Sequence, residues 1–206
     1  MKKKLYKHNS LNLSFLIICD IHYINELEKK RLKTIQNTES FDACLLLGDI
    51  PTDVVEIVSK NITKPIFAVA GNHDTLEIYN YPNIVYLNGK MSTVNGYTIA
   101  GIDGSHRYKD SFYLVMQTQS ESVNTVKKLH RADILISHDS AYKVFGKEKN
   151  KCGLKGISRY IKNKKPIFHI HGHHHQRLQY RFHRTNCICS YRAQVSDLNG
   201  ETKVIF

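Results

Sequence analysis

Short apolar runs recur along the chain, and each gives way to a cluster of polar residues. Phe15–Cys19, Ala43–Leu47, Ile66–Val69, Ile134–Ser137 and Ile167–Ile170 have the length and unbroken apolar character of buried strands. Between them lie stretches with helical spacing. Glu26–Gln36 is expected to set Leu27, Leu32 and Ile35 on one helical face, and Asp53–Lys60 follows Pro51 as a short helix. Thr118-Gln119-Ser120-Glu121 is a capping box that opens a helix running to about His130, and Leu154–Lys162 is a further helix. Ile84–Ile102 breaks into short strands at the hairpin dipeptides Asn88-Gly89 and Asn95-Gly96. Leu178–Phe206 alternates around Asn199-Gly200 as a terminal hairpin or meander. Strands alternating with helices predict an α/β protein. With no linker, repeat or low-complexity stretch, one domain is expected over residues 1–206. The longest irregular stretch, Asp139–Gly153, has the length of loops that are often functional.

The polar clusters at the strand ends share a chemistry. Phe15–Cys19 runs into Asp20-Ile21-His22, Ala43–Leu47 into Gly48-Asp49, and Ile66–Ala70 into Gly71-Asn72-His73-Asp74. Ile134–Ser137 ends at His138, and Ile167–Ile170 ends in His171-Gly172-His173-His174-His175. In open α/β sheets ligands bind beyond the carboxyl ends of strands, so five such ends point at one crevice. Carboxylate, amide oxygen and imidazole suit divalent manganese, iron, zinc or nickel. On extended backbone Asp20 and His22 project to one side, as do His173 and His175. With Asp49, Asn72 and His138 these make seven candidate metal ligands, more than one ion needs and enough for two ions sharing a bridging carboxylate. His171 and His174 alternate with the ligands and should turn to the other side, and His169 lies within a strand; packing roles are expected for all three.

Composition narrows the classes. Hydrophobic residues make up 41%, enough for a packed core. Leu11–Cys19 is too short to span a bilayer, and the basic start Met1-Lys2-Lys3-Lys4 is not followed by a long apolar signal segment. A cytoplasmic protein without membrane contact is expected. The five cysteines show no disulfide or CxxC spacing and read as reduced, structural thiols. A net charge of +12 favours anionic partners, a nucleotide or nucleic acid among them, although Lys29-Lys30-Arg31 and Lys162–Lys165 also suit a solvated surface. Nothing in the sequence fixes an oligomeric state.

The order Asp20-x-His22, Gly48-Asp49, Gly71-Asn72-His73-Asp74, His138, Gly172-His173-x-His175 resembles the calcineurin-like metallophosphoesterase superfamily, in particular its small single-domain bacterial and phage-type members. All five motif blocks are present across residues 20 to 175. The resemblance implies a four-layer αββα sandwich with two facing mixed sheets. It further implies two divalent ions, manganese foremost, with Asp20, His22, Asp49 and His175 on one, Asp49, Asn72, His138 and His173 on the other, and Asp49 bridging.

The implied reaction is hydrolysis of a phosphodiester or phosphomonoester by a hydroxide bridging the two ions. His73, beside Asn72 but outside the ligand pattern, could act as imidazolium to protonate the leaving oxygen, with Asp74 holding its ring. Gly101–Tyr108 resembles a Gly-Ser-x-Arg-Tyr stretch of the small members, making Arg107 a candidate phosphate clamp with His106 beside it. A metal-dependent nuclease acting on DNA or RNA ends is the alternative within the enzyme class. A non-catalytic binding module on the same fold should show decayed ligands, and none of the seven is decayed.

Overall fold

Polypeptide that is apolar at every position can be buried only between two layers, and the strands of this chain are arranged accordingly. The computed structural model describes residues 12–111, 113–148 and 150–206, with backbone alone for Leu76 and Ile78. The basic start Met1–Lys4 and Leu11 lie outside the described residues. The first half reads β1 (Ser14–Cys19), α1 (Glu26–Thr38), β2 (Ala43–Leu46), α2 (Thr52–Asn61), β3 (Ile66–Ala68), a 3-10 turn at Leu76–Tyr79, β4 (Ile84–Tyr86), β5 (Met91–Val94) and β6 (Tyr97–Ile102). There follow β7 (Ser105–His106), β8 (Met116–Gln117), α3 (Gln119–Lys127), β9 (Ile134–Ser137), α4 (Lys155–Lys164), β10 (Phe168–His171), β11 (Leu178–Phe182), β12 (Thr185–Cys189), β13 (Arg192–Asp197) and β14 (Thr202–Val204).

Two six-stranded sheets result, ordered β14-β13-β1-β2-β3-β4 and β11-β12-β10-β9-β6-β5. Both are mixed: β1, β2, β3 and β4 run parallel while β13 is antiparallel to β1, and β6, β9, β10 and β12 run parallel with antiparallel β5 and β11 at the edges. Strand alternation sorts the core into three layers of side chains. Leu16, Ile18 and Leu46 meet Leu32 and Ile35 of α1 and Val54 and Val58 of α2. Phe15, Ile17 and Leu45 turn the other way, against Ile134, Ile136 and Ile170 of the second sheet. Ala100, Ile102 and Leu135 pack on Val126 of α3 and Ile157 and Ile161 of α4. The layers are helix, sheet, sheet, helix, the expected αββα sandwich.

Local signals explain most boundaries. Capping boxes start α1 (Asn25 with Glu28) and α3 (Thr118 with Glu121), and α3 ends at Lys127, short of His130. Asn95-Gly96, both with positive φ, forms the tight turn between β5 and β6. Asn88-Gly89 is not a hairpin: it carries the chain from β4 in one sheet to β5 in the other, and Gly89 N–H donates to the Gly101 carbonyl. The tail is likewise split, with β11 and β12 in the second sheet and the β13–β14 hairpin in the first. Cys19, Cys44, Cys187 and Cys189 are buried thiols, as expected of small core residues. No helix among the described residues is long and apolar enough to cross a membrane.

One core assignment is corrected. Leu27 is 80% exposed, while Leu32 and Ile35 are buried. Leu27 and Leu32 are five positions apart, which at 3.6 residues per turn sets them well round the helix from one another. Leu32→Ala should therefore lower the unfolding free energy by about 2–5 kcal/mol. Leu27→Ala should change it by less than about 0.5 kcal/mol in the same urea titration. Equal losses would place Leu27 in the core.

Candidate metal centre

The carboxyl ends of β1, β2, β3, β9 and β10 converge at one edge of the sandwich, and the backbone there is forced into unusual shapes. Asp20, Asp49, His173 and His175 all have left-handed φ, between 51° and 69°. Such conformations cost about 1–3 kcal/mol each in non-glycine residues and persist only where the surroundings fix them. Adjacent turns brace one another: Asp20 N–H donates to the Gly48 carbonyl and Ile21 N–H to that of Asp49. Gly71 is required by close approach, because a Cβ there would stand 2.1 Å from Asp49 Oδ1.

These turns bring the seven sequence-nominated ligands together. Ligand atoms of Asp20, His22 and His175 lie within 4.8 Å of one another, as do those of Asp20, Asp49 and His138. His22 Nε2 stands 3.1 Å from His175 Nε2, which is 3.6 Å from Asp20 Oδ1. His138 Nε2 is 3.1 Å from Asn72 Oδ1, 3.2 Å from His173 Nδ1 and 3.6 Å from Asp49 Oδ2. Asp20 is common to both three-residue groups, whereas the resemblance assigned the bridging place to Asp49.

The hydrogen bonds leave lone pairs facing inward. His138 Nδ1–H donates to the Leu47 carbonyl (2.7 Å), and His173 Nε2–H donates to that of Asn150 (3.0 Å). In the neutral rings the remaining nitrogens, His138 Nε2 and His173 Nδ1, are acceptors that face one another, and His138 Nε2 also faces Asn72 Oδ1. Acceptors so placed repel unless a cation lies among them, and carbonyls fixing the far nitrogen are the usual support of metal-binding histidines. Asp20 Oδ2 accepts the His173 N–H (2.9 Å), while Oδ1 is buried without any hydrogen-bond partner. The donor set therefore fits divalent cations. Electrostatics agree: burial alone would lower His138, but Asp49 and Asp20 outweigh it and lift it to about 9, so this point attracts positive charge. Burial would raise the Asp49 carboxyl, yet His138 and the His73 N–H hold it below the usual carboxylate range.

Three nominated residues stand elsewhere than expected. Asp74 does not hold the His73 ring. It accepts the N–H groups of Gly71 (2.7 Å), Asp49 (2.9 Å) and Ile50 (3.1 Å) and the Tyr79 hydroxyl (2.6 Å), so its carboxylate is saturated by the turns that present Asp49 and Asn72. Burial nevertheless raises its pKa, against those donors. Arg107 is turned from the cavity to Glu121, the capping residue of α3 (3.3 Å). His106 is tied through its N–H to Asp139 (3.1 Å). His73 does line the cavity, with its backbone N–H on Asp49 Oδ1 (2.8 Å).

His169 and His171 pack behind the site, while His174, expected to turn away with them, reaches the cavity wall. His169 meets the Ser137 hydroxyl at 2.7 Å and His171 the Tyr180 hydroxyl at 2.8 Å; burial drives both below the ordinary value, His169 to about 3. His174 lies 2.9 Å from Ser140 Oγ and 3.3 Å from Asp139 Oδ1 and stacks on Phe145 at 4.0 Å. Burial would raise Asp139, but His174 and its neighbours bring it to about 2. A cavity of about 660 Å³ opens over the cluster, and Tyr108, Phe145, Asn150 and Lys151 line it beside the histidines. Sequence reasoning passed over these four, although three lie in the long loop after His138 and the fourth follows Arg107.

Comparison with known proteins agrees with this geometry. A family model described as the calcineurin-like phosphoesterase superfamily domain matches residues 13–189. No curated protein matches the chain by sequence. Among solved structures, a protein of Thermus thermophilus superposes with a TM-score of 0.72 at 16% identity, covering 94% of this chain and 99% of that one. Phosphopantetheinyl hydrolase from Mycobacterium tuberculosis gives 0.62 at 10% identity (87% and 89%), and an archaeal phosphodiesterase gives 0.55 at 13% (93% and 98%).

Because Asp74 braces backbone rather than His73, Asp74→Asn should destabilise the fold by about 1–3 kcal/mol. It should also reduce the metal retained after loading and desalting. A variant with unchanged melting temperature and metal content but slow turnover would return Asp74 to the side of His73.

Proposed function

Since the chain belongs to the calcineurin-like phosphoesterase superfamily, we propose that it is a two-metal phosphoesterase that hydrolyses a phosphodiester or phosphomonoester. The observation that supports this most is the inward-facing set of lone pairs from five strand ends, with the unpartnered Asp20 Oδ1 among them. Asp20, His22 and His175 would hold one cation, Asn72, His138 and His173 the other, and Asp49 would reach both. Two divalent ions supply a nucleophile from water at neutral pH and neutralise charge on phosphoryl oxygens.

The chain's own groups supply the rest. His73 is exposed at the cavity wall, and no hydrogen bond engages its ring among the described residues, so as imidazolium it can give its proton to the leaving oxygen. Lys151 lines the same cavity and takes the place in phosphate binding that the sequence suggested for Arg107. The cavity volume suits a substrate of nucleotide size, and Tyr108 and Phe145 offer it flat apolar surface. Two fold neighbours are described as a phosphodiesterase and a phosphopantetheinyl hydrolase, names consistent with ester cleavage at phosphorus.

The test uses protein stripped with chelator and reloaded with Mn²⁺, assayed on bis-p-nitrophenyl phosphate and p-nitrophenyl phosphate. Asp49→Ala should lose bound metal and turnover together. His73→Ala should keep the metal content seen by elemental analysis while kcat falls by roughly 10²–10⁴. Two ions bound per chain with neither ester cleaved would leave a binding module instead.

A further inference from the structure

The positive charge of this protein is concentrated in one stretch. Between Lys143 and Lys165 the sequence has nine Lys or Arg and a single acidic residue, Glu148, so these 23 residues hold +8 of the net +12. They form the outer part of the loop after His138 and the whole of α4. Lys155, Arg159 and Lys162 recur at helical spacing on the exposed side of α4, whose other side buries Ile157, Tyr160 and Ile161. With 1.5 Å of rise per residue the row is about 10 Å long. One end leads, through Lys151, into the cavity over the metal cluster. The other reaches a groove of about 160 Å³ between α3 and α4, lined by Lys127, Arg159, Asn163 and Lys164.

Five cations elsewhere on the surface have a carboxylate partner: Lys29 with Asp53, Lys60 with Glu56, Arg107 with Glu121, Arg192 with Glu28 and Lys203 with Glu39. Among the described residues no carboxylate forms an ion pair with Lys155, Arg159 or Lys162. What sets this stretch apart is the density of like charge with only one acid among nine cations, and like charges so placed repel until an anion joins them. Tyr142 stands between Lys143 and Lys155, each ammonium about 5 Å from its ring centroid, and Phe145 and Tyr108 continue the aromatic surface into the cavity. A positive track with aromatic rings beside it is the arrangement that holds single-stranded nucleic acid. An anionic membrane fits less well, because the large exposed apolar side chains (Tyr23, Leu27, Val85, Tyr113, Leu178, Val204) all lie outside residues 141–165.

We propose that the exposed row on α4 binds the backbone of a single-stranded nucleic acid and leads one of its phosphates to the metal-binding cavity; the second half of this rests on the phosphoesterase reading, the first does not. The probe is a fluorescein-labelled oligothymidylate of about 15 nucleotides, followed by anisotropy in EDTA so that binding is read without hydrolysis. The combined change Lys155→Gln, Arg159→Gln, Lys162→Gln should weaken binding at least tenfold at ~50 mM NaCl. It should also flatten the slope of log K against log salt by about 2, since each neutralised phosphate contributes roughly 0.7 for a single strand. Turnover of bis-p-nitrophenyl phosphate by the same metal-loaded variant should be unchanged. Lys30→Gln, Arg31→Gln, Lys33→Gln on α1, also exposed and equal in charge lost, should leave oligonucleotide affinity near that of the parent.

Equal losses in the two triple variants would overturn the track and leave only a general attraction of net charge. So would absence of oligonucleotide binding, or tighter binding to phosphatidylserine vesicles than to the oligonucleotide. Oligonucleotide binding without turnover of any ester removes the phosphoesterase reading and keeps the track; ester turnover without oligonucleotide binding does the reverse.

Discussion

Two carboxylates, Asp20 and Asp49, are buried side by side where the two sheets meet. Burying one unpaired carboxylate is unfavourable by several kcal/mol, and a second close by compounds the cost through repulsion. The surroundings are organised to offset this. Backbone N–H groups of His73 and His173 donate to Asp49 Oδ1 and Asp20 Oδ2. The imidazole of His138 is drawn toward a positive state between the two acids. The left-handed turns at Asp20, Asp49, His173 and His175 are what let those N–H groups and rings face inward. Another buried carboxylate, Asp74, holds the backbone of the Asp49 turn and of the adjoining turn at Gly71 in place. Much of the strain and polarity of the molecule is thus concentrated at one edge, and the three apolar layers behind it provide the rigidity that strain requires.

That edge is also tied to the long loop after β9. His173 Nε2–H donates to Asn150, and His174 links Asp139 to Phe145 through a carboxylate contact on one side and a ring stack on the other. The loop is therefore a wall whose position is coupled to the turn bearing His173 and His175. A change at Phe145 or Asn150 alters the support of candidate ligands as well as the shape of the cavity.

What could be read in the sequence follows from which interactions are local. An apolar run ending in Asp-x-His marks both a strand and its functional end, because burial and ligand chemistry are written in adjacent residues. The capping boxes of α1 and α3 are equally local. Leu27 was misplaced because a helical face depends on register over several turns, and two properly spaced apolar residues further on suggested a face it does not share. Asp74 and Arg107 were misassigned because their partners are Gly71, Asp49, Ile50 and Tyr79 in one case and Glu121 in the other, set by the tertiary arrangement. Lys151 and Phe145 sit in a loop with no periodicity, where length alone drew attention.

The unit β9–loop–α4–β10 joins these observations. It contributes His138 at the end of its first strand and His173 and His175 just beyond its second, with Asn150 and Lys151 between them. Its parallel crossover obliges α4 to lie on the outer face of the sheet, so the cations of α4 face solvent while the ligands at both strand ends face the cavity. Fold neighbours at 10–16% identity share the sandwich, and a sandwich alone does not choose a substrate. In this chain the segment that carries three of the seven candidate ligands also carries most of the net charge. The groups that would handle the metal and the groups that would greet an anion are therefore placed by one crossover. Selection of substrate and support of the metal site cannot be varied independently along it except on the exposed side of α4.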